Sequence, residues 1–371
     1  MTDLCALSRR DFVLSVPGAA AMALLAPSLG AIAAGDDPQK PVGGGIDPLQ
    51  LVDPELRAPL KAMPAFKLPK EITPAQIAAF RQQMSFATPK PLPQPPVAER
   101  RVPGRQGAPD VKVFVINAKP GERRPAVLHT HGGGFILGSA ASDVPRLQVM
   151  ARALDCVVVT VEYRLAPETP FPGSLEDNYA ALKWLHAEAK SLGVDPARIA
   201  VAGESAGGGH AAILAIAARD RGEVPLVFQS LVYPMLDDRT GSSRQVPPYI
   251  GAFIWTAELN RSGWKAFLAT EPGGPRVPAG AVPARLENLA GLPPAWIGTG
   301  SVDLFVNEDI EYARRLVDAG VRSDLLVVGG GYHGFDLFVP NASVSKNFTL
   351  ARYNALARAF GAKQLDSAPS G

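Results

Sequence analysis

The chain has 371 residues, of which 47% are hydrophobic and 19% are charged, a balance typical of a globular protein with a sizeable core. Its 37 Lys and Arg residues against 35 Asp and Glu residues leave a formal net charge of +2, and no basic run could follow a phosphate backbone. We therefore expect no nucleic-acid partner.

The first 34 residues have the pattern of an export signal. Residues 8–13 contain the paired arginines of a twin-arginine signal, and an apolar stretch over 12–29 and a small-residue run at 31–34 follow. Pro17, Gly18 and Pro27 interrupt the stretch and Gly30 ends it, which favours cleavage after Ala33 or Ala34 over a membrane anchor that stays attached. We expect an exported, periplasmic or secreted protein without a stable membrane anchor.

The two cysteines exclude a disulfide framework in the mature chain. Cys5 lies in the predicted signal, and Cys156 opens an apolar run and is predicted to be a buried strand thiol.

Residues 35–109 are predicted to hold N-terminal cap helices and a stiff connector. Asp53-Pro54 and Thr73-Pro74 each place a capping residue before a proline at the first helical position, so two short helices are the minimum. Residues 88–96 contain five prolines, too many for a helix or a central strand, and are expected to be extended.

From residue 110 to 371, short β-branched runs alternate with longer amphipathic ones, a pattern typical of βαβ units and a mostly parallel sheet. Seven strands are predicted, at residues 111–116, 126–130, 156–161, 199–202, 226–233, 295–298 and 325–328.

Two helices stand out between these strands. One is predicted over 174–190, capped by its first residues Ser174 to Asp177, and one over 307–319, with Ile310, Ala313 and Val317 at helical spacing. Residues 236–289 break the alternation with many Pro and Gly residues around one helical pattern, and are predicted to form an insertion over the sheet.

A candidate nucleophile lies between a predicted strand and a predicted helix. Residues 203–207 are Gly-Glu-Ser-Ala-Gly, a G-x-S-x-G motif with Ser205 at its centre. A nucleophile elbow needs this context, because the serine takes a strained backbone geometry and the flanking glycines remove side chains that would collide with neighbouring elements.

The segment His131-Gly132-Gly133-Gly134 follows an earlier strand. Consecutive glycines let backbone N–H groups turn toward a ligand, which is what an oxyanion hole requires. Gly133 and Gly134 would donate two hydrogen bonds and Ala206 a third, while His131 orders the loop.

In this strand–helix arrangement an acid and a base follow the serine in the order Ser, Asp, His. Asp303 comes after the strand at 295–298, and His333 after the strand at 325–328. Asp309 is the alternative acid, but it falls within a helix six residues further on.

The other histidines compete poorly with His333. His129 lies within a strand, His186 in the helix at 174–190, and His210 in the helix behind Ser205. A metal site at His129 and His131 lacks a third ligand at a suitable spacing, so we expect no metal and no cofactor.

These motifs together resemble the hormone-sensitive-lipase-like family of α/β-hydrolases, the bacterial family IV esterases that carry the HGGG motif. The likeness covers most of the chain after about residue 48 and includes the segments at residues 161–168, 233–237, 289–294 and 332–335. The chain departs from the family pattern at Glu204, where Asp is common, at Gly209-His210 in place of Asn-Leu, and at Asp303-Leu-Phe305 in place of Asp-Pro-Leu.

The resemblance implies an α/β-hydrolase fold with a mostly parallel eight-stranded sheet flanked by helices. It implies a helical cap built from the N-terminal helices and the 236–289 insertion, with Gly132 and Glu204 among the residues that support the pocket.

The implied function is a serine carboxylesterase that hydrolyses short- to medium-chain esters through an acyl-enzyme, with Ser205, Asp303 and His333 as the catalytic residues. A small-molecule ester is the expected partner, and a homodimer is left open. The same triad could act on amides, lactones or acetylated sugars, because the pocket decides the substrate. A non-catalytic binding protein on the same fold is disfavoured, because all three triad residues are present.

Overall fold

The computed structural model describes residues 45–62, 72–86 and 88–369. The predicted export signal at residues 1–34 lies outside these ranges, so export stays a prediction. In the described ranges, no helix has both the length and the apolar character needed to cross a bilayer.

The centre of the fold is one sheet with strand order β1-β2-β4-β3-β5-β6-β7-β8. The pairs β1–β2 and β2–β4 are antiparallel, and all later neighbours are parallel. The strands are β1 Val97–Val102, β2 Val111–Ile116, β3 Arg124–Thr130, β4 Val157–Glu162, β5 Val194–Glu204, β6 Phe228–Val232, β7 Ala295–Gly300 and β8 Ser323–Val328. The predicted eight-stranded, mostly parallel sheet is confirmed.

Helices cover both faces of this sheet. They are α1 Pro48–Leu51, α2 Arg57–Ala62, α3 Pro74–Phe86, α4 Ala140–Ala153, α5 Gly173–Ala187, α6 Ala189–Leu192, α7 Ala206–Arg221, α8 Ala257–Leu268, α9 Val306–Asp318, α10 Phe335–Phe338 and α11 Ser343–Ala359, with 3₁₀ turns at Pro54–Leu56 and Pro283–Arg285.

The alternation of side chains along the strands produces two apolar cores. Val127 and Val158 point to the face that α4 and α11 cover, whereas Leu128 and Val159 point to the face that α5 and α7 cover. Both faces are buried, which explains why these strands are almost continuously apolar.

Strand β1 is absent from the sequence-based prediction, which begins the sheet at residue 111. Its sequence is Val-Ala-Glu-Arg-Arg-Val, and Glu99 to Arg101 are exposed because the strand forms an edge of the sheet. An edge strand needs no apolar run, so hydrophobic patterning could not find it. The predicted N-terminal segment at 35–109 therefore contributes residues 97–102 to the sheet.

The predicted cap of the helix at 174–190 is wrong. Helix α5 begins at Gly173 and ends at Ala187, and the short helix α6 follows it. The Ser174 hydroxyl is buried without a hydrogen-bond partner among the described residues, and Asp177 accepts hydrogen bonds from Arg164 instead.

The helix predicted at 307–319 exists as α9, but its predicted apolar face is largely wrong. Ile310 is 41% exposed and Val317 is 59% exposed, whereas two acidic residues, Glu308 and Asp309, are buried. Glu308 accepts hydrogen bonds from the backbone N–H groups of residues 236 and 237, and so fixes the start of the insertion to this helix. Apolar spacing alone could not reveal that a carboxylate faces inward.

The insertion at 236–289 contains α8, and the N-terminal segment approaches it. The Ile72 N–H donates to Ser262 Oγ at 3.3 Å, and Arg81 of α3 donates to the carbonyl oxygens of Ile136 and Ala166. The predicted helix starts at Asp53 and Thr73 are confirmed, since both side chains accept backbone hydrogen bonds there.

The buried carboxyl of Asp309 should make the stability of the fold depend on pH. Burial raises the pKa of its carboxyl, and nearby Glu308 and Asp303 raise it further. Such a group stabilises the fold fully below its unfolded pKa of about 3.9, and that contribution is lost as the pH rises toward the folded value. We expect Asp309→Asn to be more stable than the wild type by a margin that grows as the pH rises above about 3.9 and that totals about 1.4 kcal/mol per unit of pKa shift.

Thermal unfolding followed by circular dichroism at several pH values measures this margin. The control is Asp318→Asn at the end of the same helix, which removes a carboxylate that is 60% exposed and whose ion pair with Arg314 is screened by solvent. A margin for Asp309→Asn that did not change with pH would contradict the buried, neutral carboxyl.

Candidate functional site

Ser205 lies in the sharp turn between β5 and α7. Its backbone angles, φ 58° and ψ −125°, belong to a region that residues with a side chain rarely adopt. The turn brings the start of α7 close to the ends of β5 and β3. A Cβ on Gly203 would lie 2.3 Å from the Gly207 carbonyl, and a Cβ on Gly207 would lie 2.1 Å from the Thr130 carbonyl oxygen.

Ser205, His333 and Asp303 form a continuous hydrogen-bonded chain. His333 Nε2 lies 2.9 Å from Ser205 Oγ, and His333 Nδ1 lies 2.8 Å from Asp303 Oδ2. Asp303 is fully buried and its other oxygen accepts from the Phe305 N–H at 2.9 Å. This geometry holds the Nδ1–H tautomer and leaves Nε2 free to accept the serine proton.

The structure brings together the three residues that were predicted from the sequence to form the triad. They follow the carboxyl ends of β5, β7 and β8. Asp309, the alternative acid, is held within α9, and its backbone N–H donates to the Phe305 carbonyl oxygen.

The glycine loop at 132–134 lies directly beside Ser205. A Cβ on Gly132 would come within 3.5 Å of Ser205 Cβ, and Gly133 and Gly134 have φ angles of 123° and 60° that glycine adopts at low cost. The backbone N–H groups of Gly133 and Gly134 have no acceptor among the described residues. Ala206 is the first residue of α7, so its N–H has no intrahelical acceptor. Three donors are therefore available around the serine.

His131 supports this loop. Its ring stacks on Tyr163 with centroids 4.1 Å apart, and the Tyr163 hydroxyl donates to the His131 carbonyl oxygen at 2.6 Å. Burial lowers the pKa of His131, so the ring is neutral. His210 packs edge-on against Tyr163, and burial lowers its pKa to about 3. Neither histidine is placed for proton transfer at Ser205.

Glu204 is the centre of a buried ion-pair cluster behind the nucleophile. Arg146 of α4 donates to both of its oxygens at 2.8 Å, and Arg352 of α11 lies 2.7 Å from Oε1. Burial alone would raise the pKa of Glu204, but the two arginines and His129 outweigh it and hold the pKa well below its usual range. Glu204 is therefore a charged anchor that ties the end of β5 to two helices.

The same cluster offers a potential metal-ligand set, since atoms of His129, Asp143 and Glu204 lie within 4.8 Å of one another. Arginine guanidinium groups occupy both oxygens of Glu204, and their positive charge opposes a cation. His131 points elsewhere, with its Nδ1 2.8 Å from the Gly132 carbonyl oxygen, so the His129-x-His131 pair does not converge.

A cleft of about 850 Å³, including its open mouth, leads to Ser205. One wall is polar and carries Ser139, Ser142, Asp143 and Arg146, and the other is apolar. The apolar wall consists of Tyr233, Ile254, Trp255, Leu337 and Phe338.

Sequence reasoning missed Arg146, Arg352, Tyr163 and Trp255 as parts of the site. Each comes from an element distant in the chain, and none belongs to a motif with a chemical signature of its own. The Val-Glu-Tyr-Arg segment at 161–164 was a usable signal for Tyr163, because it already marked the family resemblance.

The chain is similar to known hydrolases in both sequence and fold. Residues 127–337 match the family model described as alpha/beta hydrolase fold. The chain is 37% identical over 300 residues to carboxylesterase NlhH of Mycobacterium tuberculosis, covering 77% of this chain and 90% of that protein. It is 35% identical over 302 residues to esterase LipI of the same species, covering 80% of this chain and 92% of that protein.

Among solved structures, a bacterial heroin esterase is 38% identical with a TM-score of 0.75, covering 84% of this chain and 99% of that one. The esterase LipW from Mycobacterium marinum is 34% identical with a TM-score of 0.71, covering 86% of this chain and 98% of that one. The chain belongs to the hormone-sensitive-lipase-like esterases, carboxylic ester hydrolases of the α/β-hydrolase superfamily.

Proposed function

We propose that this chain hydrolyses short- to medium-chain carboxylic esters with Ser205 as nucleophile, His333 as general base and acid, and Asp303 as the residue that orients His333. The observation that carries the proposal is the Asp303–His333–Ser205 hydrogen-bond chain, which ends on a strained serine beside unoccupied backbone N–H donors.

In the first stage, His333 Nε2 accepts the Ser205 proton while Oγ bonds to the ester carbonyl carbon. The carbonyl oxygen becomes an anion, which the N–H groups of Gly133, Gly134 and Ala206 stabilise. The bond to the alcohol oxygen then breaks, and His333 gives its proton to the leaving alcohol.

In the second stage, water attacks the acyl-enzyme. His333 accepts a proton from the water, the Ser205 Oγ–carbon bond breaks, and the proton returns to Ser205. Asp303 accepts the Nδ1–H bond of His333 in both stages and stabilises the imidazolium that forms.

The cleft supports the size range of the substrate. Its apolar wall at Ile254, Trp255, Leu337 and Phe338 suits an acyl or alkyl chain, and its volume of about 850 Å³ includes the mouth as well as the interior. Because part of this volume is open to solvent, the enclosed space is smaller than 850 Å³, which favours short and medium chains over long ones.

Ser205→Ala tests the nucleophile. Turnover of p-nitrophenyl butyrate should fall by roughly 10⁶, since the serine of a comparable triad contributes about that factor. The measurement is the release of p-nitrophenol under saturating ester. Ser191→Ala is the control, because its hydroxyl is exposed and, among the described residues, bonds only to Glu188. Its activity should equal that of the wild type. Undiminished hydrolysis by Ser205→Ala would show that the site is wrongly placed.

An acyl-chain profile tests the substrate range. We expect kcat/KM for p-nitrophenyl esters to be highest between acetate and octanoate and to fall steeply at palmitate, because the volume of the cleft already includes its open mouth and leaves little enclosed space for a long acyl chain. The rate with Ser205→Ala at each chain length provides the background to subtract. A maximum at palmitate would exclude the proposed range, and turnover confined to amides would exclude ester hydrolysis.

A further inference from the structure

We infer that helix α8 of the insertion is a positioning element of the oxyanion hole, so that the insertion controls transition-state stabilisation as well as covering the cleft. This inference rests on the proposed function. It comes from two very close approaches to Gly134, neither of which involves the triad.

The first approach is between the two backbones. A Cβ placed on Gly263, in the middle of α8, would lie 2.5 Å from the Gly134 carbonyl oxygen. No side chain fits at that distance, so α8 rests on the loop through the one residue type that permits it. The next atoms that this Cβ would meet are the Gly134 carbonyl carbon and Met235 Cε, both at 3.5 Å.

The second approach comes from Trp255, just before α8. A Cβ on Gly134 would lie 2.0 Å from the edge of the Trp255 ring. The ring is buried and its Nε1–H donates to Asn260 Oδ1, whose own amide donates to the Thr240 carbonyl oxygen at 2.8 Å. The insertion therefore fixes the indole that presses on the Gly134 Cα.

Aromatic packing extends the contact to the next residue of the loop. Phe135 has a φ of 68°, stacks on Phe267 of α8 with centroids 4.2 Å apart, and contacts Trp264 edge-on at 4.9 Å. On its other side it meets His210 at 4.9 Å. The loop is thus held between α8 and the helix that follows the nucleophile.

These contacts act on the donor group. The N–H and the carbonyl of Gly134 are attached to the same Cα, and the Trp255 ring prevents that Cα from moving to one side. Added bulk at Gly263 that displaces the carbonyl therefore rotates the loop and moves the N–H group with it. Oxyanion donors work only within a narrow range of distances to the developing anion. A displacement of about 1 Å in a catalytic group can reduce a rate by about 10².

Gly263→Ala is the direct test. We expect kcat to fall by about 10- to 100-fold, because the displaced Gly134 N–H forms a weaker hydrogen bond to the developing anion. KM should change by less than about threefold. The matched control is Gly274→Ala in the same insertion, whose added Cβ would meet nothing closer than 3.7 Å and which should behave as the wild type. Phe267→Leu, which weakens the stack on Phe135 without adding bulk, should lower kcat in the same manner but by less.

A trifluoromethyl ketone separates this role from a general loss of structure. Ser205 Oγ bonds to its carbonyl carbon, the serine proton passes to His333, and the ketone oxygen becomes an anion in the oxyanion hole. The inhibition constant of the ketone should rise in parallel with the fall in kcat/KM for both variants. The inhibition constant of the corresponding secondary alcohol, with a methyl group in place of the trifluoromethyl group, should stay unchanged, because this alcohol forms no anion in the site. Circular dichroism and thermal unfolding establish that each variant is folded.

Folded Gly263→Ala or Phe267→Leu with unchanged ketone affinity, or a loss carried by KM alone, would overturn the inference. Should Gly263→Ala not fold, Phe267→Leu and its ketone affinity decide the matter. A wild-type protein that neither hydrolyses esters nor binds the ketone would refute the proposed function instead, so the two failures are distinguishable.

Discussion

The constraint on which the site depends is the crowding between β5, α7 and the glycine loop. Ser205 occupies a backbone conformation that costs about 1–3 kcal/mol. The surrounding backbone enforces it: the Ser205 N–H donates to Val232, and its carbonyl accepts from Gly209 and Met235. This conformation places Ser205 Oγ within hydrogen-bond distance of His333, which follows the edge strand β8.

The buried ion pairs of Glu204 also hold the backbone beside Ser205 in place. Glu204 is the residue before Ser205, and its two oxygens accept from Arg146, Arg352 and His129 together. Removing one partner from a buried group of this kind is costly, because an unpaired charge then remains in a low-dielectric interior. The two arginines thus join two helices that lie far apart in the chain, α4 and α11, to the residue that precedes the nucleophile.

Local motifs made part of this site predictable from the sequence. Ser205 lies in a pentapeptide whose strand and helix context is visible in the chain, and His333 and Asp303 follow from the order of elements in this fold. The glycines at 132–134 were predictable for the same reason, since their role depends on their own backbone. The information for Ser205 and the glycine loop is contained within a few consecutive residues, whereas that for Asp303 and His333 comes from the order of the strands.

The remaining features depend on long-range packing. The exposed edge strand β1 has no apolar pattern, and the inward-facing Glu308 of α9 contradicts the apolar spacing that Ile310 suggests. The contact between Gly263 and Gly134 joins residues 129 positions apart in the chain. A single glycine within a helix does not indicate which residue it will contact.

The central claim is that Ser205, activated by His333, forms the covalent intermediate. Mass spectrometry of the protein after reaction with a fluorophosphonate tests it most directly, because this reagent bonds to an activated serine and fluoride leaves. We predict a single adduct on the peptide that contains Ser205, with a much slower reaction in His333→Ala. An adduct on another serine, or labelling of Ser205 at the same rate without His333, would contradict the account.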